Sequence, residues 1–193
     1  MPLGRVICYG AWWQGEFRGA VVYARGNNRH LGKPYGLSDS RHVVELCRIA
    51  LDDHPEFPVT QVVARTLSQL QHTNSGLRLA LSFADPEHGH DGAIYRAGNW
   101  IYLGRTEPVR YFLHRGRWVH QRDVTGAPQF HSRASGIHHP NVGGNQSHID
   151  IAALPFREAS PKHRYGYPFD RAMRRQLTHL SVPFPGQRLK IAE

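Results

Sequence analysis

The sequence predicts a mixed α/β domain in which helices cross a partly antiparallel sheet. Three observations carry that expectation: two β-rich runs joined by a polar glycine turn, a stretch with apolar residues at helical spacing, and strands on both sides of each helix. At 193 residues the chain has room for one substantial core, with an appendage.

The run "RVICYGAWWQGEFRGAVVYARG" alternates two β-rich segments around Gln14-Gly15, the pattern of a hairpin. "VVELCRIAL", Val43 to Leu51, is a third strand, followed by the breaker-rich "DDHPEFP". In "VTQVVARTLSQLQHT" the residues Val59, Val62, Val63, Leu67 and Leu70 recur at helical spacing, with Thr60 as the expected N-cap. "GLRLALSF" reads as a fourth strand and "GHDGAIYRAGN" as a short helix. "WIYLGRTEPVRYFLHRGRWVHQRD" reads as two further strands, broken near Glu107-Pro108 and Arg115-Gly116.

From Val124 to Pro161 the composition turns to Gly, Ser, Asn, His and Pro without a period, which predicts an irregular loop. A basic helix and a proline-rich tail follow, with Asp170 placed to cap the helix. The expected organisation is therefore a catalytic domain over 1–123, a loop over 124–160 and a basic segment over 161–193.

Charge narrows the partner. Lys and Arg number 24 against 15 Asp and Glu, a net charge of +9, which suits a polyanion, nucleic acid first among them. No apolar run approaches a membrane span and no secretory signal opens the chain, so a cytoplasmic location without membrane attachment is expected. Cys8 and Cys47 both lie in apolar runs and read as two buried thiols.

Four blocks in the same order, "PYGL", "VVELCRIAL", "SFADPEHGHDGAIYRAGNWIYLG" and "PKHRYGYPFDRAMRRQ", resemble the Mom family of phage DNA-modification proteins, which methylcarbamoylate adenine. The resemblance implies a fold related to the GNAT acyltransferases, action on adenine N6 in double-stranded DNA, and protection of that DNA from restriction. It implies catalytic roles for Arg48, Asp85 and Tyr95, and an acyl-CoA or related donor held by Arg48, Thr60 and Arg65. It also implies iron at Asp85 and Tyr95. GNAT enzymes cradle the cofactor pyrophosphate with a glycine-rich loop, and "DDHPEFPVTQVV" contains no glycine. Family members carry a His-Tyr-Ser segment ahead of the stretch equivalent to "MPLGRV", so either the start lies upstream of Met1 or the N-terminus is truncated.

Adenine N6 is hidden by stacking and pairing, so Trp100 and Tyr102 are candidate faces for an extruded base and Asp85 the candidate proton acceptor. Each has a plainer reading. Asp85 before Pro86 and Glu87 is also what the start of a helix wants, and the rings suit a core. His88, His90 and Asp91 suggest a metal cluster or a polar turn. Arg48 in an apolar strand needs an anionic substrate or a partner such as Glu45 or Asp85. Lys162, His163, Arg164, Arg171, Arg174 and Arg175, interleaved with Tyr165, Tyr167 and Phe169, form a DNA-contacting segment or a solvated basic face. A homodimer is left open. Two other functions fit the composition: an acyl-CoA-dependent N-acetyltransferase of a protein or small amine, and a DNA-binding protein without catalysis.

Overall fold

A computed structural model describes residues 5–25, 30–53, 58–120 and 153–185. The chain divides into two compact units, Met1–Thr106 with Lys162–Glu193, and Glu107–Pro161. The secondary structure is mixed α+β, as expected.

The larger unit is built on a six-stranded sheet in the order β1-β2-β3-β4-β9-β5. β1 (Val6–Trp13) and β2 (Glu16–Ala24) form the expected hairpin. Its turn residues Gln14 and Gly15 have φ of 51° and 83°, left-handed values that follow the twist of the two strands. β3 (Val43–Leu51) continues the antiparallel meander, and α1 (Val59–Thr73) follows it. β4 (Leu79–Ala84) returns parallel to β3, the one parallel pairing among the described residues. After α2 (Ala93–Ala97) comes β5 (Ile101–Arg105), separated from β4 by β9 (His163–Pro168). α3 (Arg171–Leu180) ends the described fold. The smaller unit is a three-stranded antiparallel sheet, with β6 (Val109–His114) between β7 (Arg117–His120) and β8 (Phe156–Ala159).

Several expectations are corrected. The stretch after Trp100 holds three strands, because both breaks end one. The run read as irregular contains β8 at its described end, and residues 121–152 lie outside the described residues. The basic segment supplies an interior strand before its helix. Pro58, not Thr60, is the N-cap of α1, and Thr60 stands within the first turn. Cys8 is exposed on the outer face of β1; Cys47 is half-buried, and burial pushes its thiol up to about 11.

Each face of the sheet has its own core. On one, Val44 and Leu46 of β3 meet Val63, Leu67 and Leu70 of α1, with Tyr95, Trp100, Tyr102 and Tyr165 closing the cluster. On the other, Val43, Leu79 and Leu81 meet Met173 and Leu177 of α3. These are the α1 face and the α3 face of the sheet.

Asp170 anchors α3. Its carboxylate accepts from the Met173 N–H at 2.7 Å and from Arg78 at 2.8 and 3.2 Å, and the Arg78 hydrogen bond, ahead of the cap itself, holds the carboxyl below its ordinary range. Asp170→Ala is expected to cost about 1–2 kcal/mol in chemical denaturation, most of it from the cap because the ion pair is part-exposed. With its folded value depressed, this carboxyl contributes fully above the ordinary aspartate value of about 3.9 and less as the pH falls through the folded value. The unfolding midpoints of variant and wild type therefore converge in acid.

Candidate functional site

β4 delivers Asp85 to the top of the sheet. The strand stops there because Asp85 caps a single 3-10 turn, Pro86–His88, accepting from the Glu87 N–H at 3.1 Å. The capping reading is therefore correct, but it occupies only part of the carboxylate. Oδ2 also accepts from Lys162 Nζ at 2.8 Å and lies 3.5 Å from His88 Nδ1. Burial works to raise the Asp85 carboxyl, and the hydrogen bond and charge of Lys162 more than reverse this, leaving it below the ordinary range. Lys162 is fixed by a reciprocal backbone clasp with Thr106: its N–H donates to Thr106 Oγ1 at 3.0 Å, and its carbonyl accepts from the Thr106 N–H at 2.9 Å. The same ammonium opposes the upward push of burial on Glu45 of β3.

The strands beside Asp85 splay. β3 and β4 pair only from Val43 with Leu79 to Glu45 with Leu81. Just beyond, the buried Ser82 hydroxyl is hydrogen-bonded to the Leu46 carbonyl at 2.9 Å and to the Tyr95 hydroxyl at 2.7 Å. A serine has one proton to give, so with that proton on the carbonyl the Tyr95 hydroxyl donates to Ser82. Burial raises the Tyr95 phenol, which keeps it protonated in this role. The mouth of the splay is thus held by Ser82 and Tyr95 from the α1 face.

Residues 1–186 match the model of the Mom protein family. The chain belongs to the Mom family. It is 29% identical over 105 residues to "Methylcarbamoylase mom" of Escherichia phage Mu. That alignment covers 53% of this chain and 43% of the phage protein, so the match spans less than half the length of this curated relative.

In this Mom family member the sheet separates the residues expected to act together. Alternation along β4 from Leu79 and Leu81 carries Asp85 to the α3 face, whereas Tyr95 packs on the α1 face. Arg48 is exposed rather than buried. Val22 pairs with Arg48 and Tyr23 with Leu46, so Cys47 is an extra bulged residue that turns Arg48 to the α3 face. Thr60 lines a cavity of about 290 Å³ on the α1 side, beside Trp100, Tyr167 and Arg174. Arg65 is exposed five residues further along α1, about 140° around the helix from Thr60.

These placements do not fit the implied groups. Asp85 and Tyr95 present their oxygens to opposite faces, one to an ammonium and one to a serine, and do not converge on an iron. Among the described residues no three His, Cys, Asp or Glu side chains are placed to hold a metal, His88 and His90 included. Arg48, Thr60 and Arg65 likewise point to three different surfaces, so they form no common cradle for an acyl-CoA donor.

The expected base-stacking rings are core residues. Trp100 packs 5.1 Å from Tyr95 and Tyr102 5.3 Å from Tyr165, ring centre to ring centre, and both are buried. His163, read as a DNA contact, is also buried and within hydrogen-bond distance of Tyr102 Oη, at 3.0 Å from Nδ1; burial, then Arg105, lowers its imidazole and favours the neutral form. Arg164 is half-buried and donates to the carbonyls of Leu103 and Arg105, both at 3.3 Å. Arg171, Arg174 and Arg175 are the outward cations: with Thr178 and His179 they line an open groove of about 440 Å³ on α3.

Sequence reasoning missed two participants. Ser82 had left a signal, a hydroxyl within the apolar "LALSFA", which must find partners once buried. The pairing of Lys162 with Asp85 had none, since it arises from β9 returning beside β4.

Proposed function

We propose that this chain is a phage-type DNA-modification enzyme that converts adenine in duplex DNA to its N6-carbamoylmethyl derivative and so shields that DNA from restriction in the bacterial cytoplasm. The observation that carries the reading is an ion-paired carboxylate, Asp85 with Lys162, at the splayed end of the sheet, on the same face as a helix whose outer side is arginine. The phage Mu relative, a methylcarbamoylase by name, supports the chemistry.

Adenine N6 carries a lone pair delocalised into the ring and lies within the base pair, so the base must leave the stack before it can react. Asp85 is ionised at neutral pH and accepts a hydrogen bond from the N6 amine. It stabilises the positive charge that grows on nitrogen as the N6 lone pair bonds to the methylene carbon of a carbamoylmethyl donor and the donor's leaving group departs with the electrons of its broken bond. It also takes up the released N6 proton. Its depressed pKa makes it a modest base, so its electrostatic contribution is the larger. Lys162 fixes the carboxylate, and the arginines of α3 hold the phosphate backbone.

The decisive experiment is mass spectrometry of nucleosides from plasmid DNA co-expressed with this chain, where an adenine nucleoside enlarged by one carbamoylmethyl group is expected. Unmodified nucleosides from a protein that still binds the plasmid would replace this reading with DNA binding without catalysis. Substituting Arg171, Arg174 and Arg175 together by alanine should weaken binding to all sequences and reduce the slope of log affinity against log salt by up to about 3, since each phosphate contact contributes about 0.9. An unchanged slope would remove α3 from the interface.

A further inference from the structure

The hairpin of β1 and β2 carries an aromatic pair that the folded core does not use. Trp12 and Phe17 are 67% and 55% exposed, while Tyr95, Trp100, Tyr102 and Tyr165 are buried. The two residues pair directly across the strands, and their rings meet edge to face with centres 5.2 Å apart. They also lie close over Gly10, where a Cβ would stand 3.1 Å from the Trp12 ring nitrogen and 3.4 Å from the Phe17 ring. Glycine there lets the rings fold down together, and the left-handed turn of Gln14 and Gly15 sits beyond them.

Register places this pair on the α3 face. Trp12 alternates with Gly10 and Cys8; Cys8 pairs with Val22, and Val22 pairs with Arg48. Direction places it at the same end of the sheet as Asp85. β3 runs antiparallel to β2, so its C-terminal end lies beside the hairpin tip, and β4 is parallel to β3. Two strand spacings separate β2 from β4, about 10 Å before the splay is added, and the tip extends about 10 Å past the level of Asp85 along the strands. A cation accompanies it: Arg48 is exposed on the same face.

We propose that the hairpin is a stacking finger: Trp12 and Phe17 enter the base stack of duplex DNA at the gap left by the adenine that turns out toward Asp85. This rests on the reading that the chain acts on adenine in duplex DNA. Extruding a base leaves a hole whose walls are two base faces, and aromatic or apolar wedges fill such holes because they restore the stacking that extrusion removes. A second copy of the chain fits the pair less well. Two aromatic side chains bury at most about 500 Å², short of the roughly 800 Å² per partner of a stable interface.

The test compares the full chain with the Trp12→Ala/Phe17→Ala variant on two duplexes of mixed sequence. One is intact, and the other carries an abasic site opposite a thymine. Wild type is expected to bind the abasic duplex about tenfold or more tightly than the intact one, because the hole is already open and the rings fill it. The double variant should lose that preference while keeping its salt-dependent binding to intact DNA, and Trp12→Phe should retain most of it. A preference absent from wild type, or equal in wild type and double variant, overturns the finger. So does a variant that turns a wild-type dimer into a monomer with the preference unchanged, which would assign the pair to a second copy. Because binding needs no chemistry, a clear preference with unmodified plasmid nucleosides would sink the proposed modification and leave the finger standing. Modified nucleosides with no preference would do the reverse.

Discussion

Asp85→Asn is expected to reduce the modified adenine recovered from co-expressed plasmid at least a hundredfold, within the range lost when a positioned proton acceptor is removed. Asparagine is close in size to aspartate and caps as well, so the 3-10 turn at Pro86–His88 survives and DNA affinity should stay within about twofold. What disappears is the charge that Lys162 pairs with and that N6 requires. Lys162→Met tests the same pair from the other side. Without the ammonium, burial, which works to raise the Asp85 carboxyl, is opposed only by its weaker neighbours. The carboxylate is then lost at a higher pH than in wild type, so the acid limb of the pH–activity profile should move upward. Full activity in Asp85→Asn would remove the carboxylate from the mechanism. An unmoved acid limb in Lys162→Met would show that the profile reports another group.

The parts of the fold legible in the sequence are those whose pattern is local. β3 over Val43–Leu51 and α1 over Val59–Thr73 match the expected bounds, because an apolar run closed by breakers and a 3.6-residue period are both written in neighbouring positions. The hairpin turn was equally plain, since Gln14-Gly15 supplies the left-handed pair that a two-residue connection needs. The site was legible only in part. Asp85 could be found at the end of an apolar strand, but its partner arrives by way of β9, a strand that follows β5 to β8 in sequence and lies between β4 and β5 in space. Reading Lys162, His163 and Arg164 as one basic surface failed because they straddle the start of a strand. Alternation sends His163 into the α1 core and Arg164 to the other face. Arg48 was misread for a related reason, a single bulged residue that reverses the alternation after Leu46.

Gly92→Ala is expected to be strongly destabilising, costing about 2–5 kcal/mol and lowering the melting midpoint by roughly 5–15 °C. Two effects combine there, and they can be separated. Gly92 has φ of 79°, so any side chain meets backbone strain of about 1–2 kcal/mol. A Cβ would also stand 2.3 to 2.6 Å from Cε2, Cζ and Oη of Tyr165, far inside van der Waals contact. Tyr165 has no room to retreat. It is fully buried on β9, packs against Tyr95 and Tyr102, and donates its hydroxyl to the Asp91 carbonyl at 2.8 Å while accepting from Arg96 at 3.1 Å. The backbone at Gly92 must move instead, and it carries α2 and the Tyr95 hydroxyl away from Ser82. Gly89 isolates the backbone share, since its φ is 74° and nothing lies within 4 Å of its would-be Cβ. Gly89→Ala should therefore cost only the strain, about 1–2 kcal/mol. Adding Tyr165→Phe to Gly92→Ala should give no rescue, because the shortest approach is to a ring carbon and not to the hydroxyl. Equal melting midpoints for Gly89→Ala and Gly92→Ala would show that the ring yields and that strain alone decides.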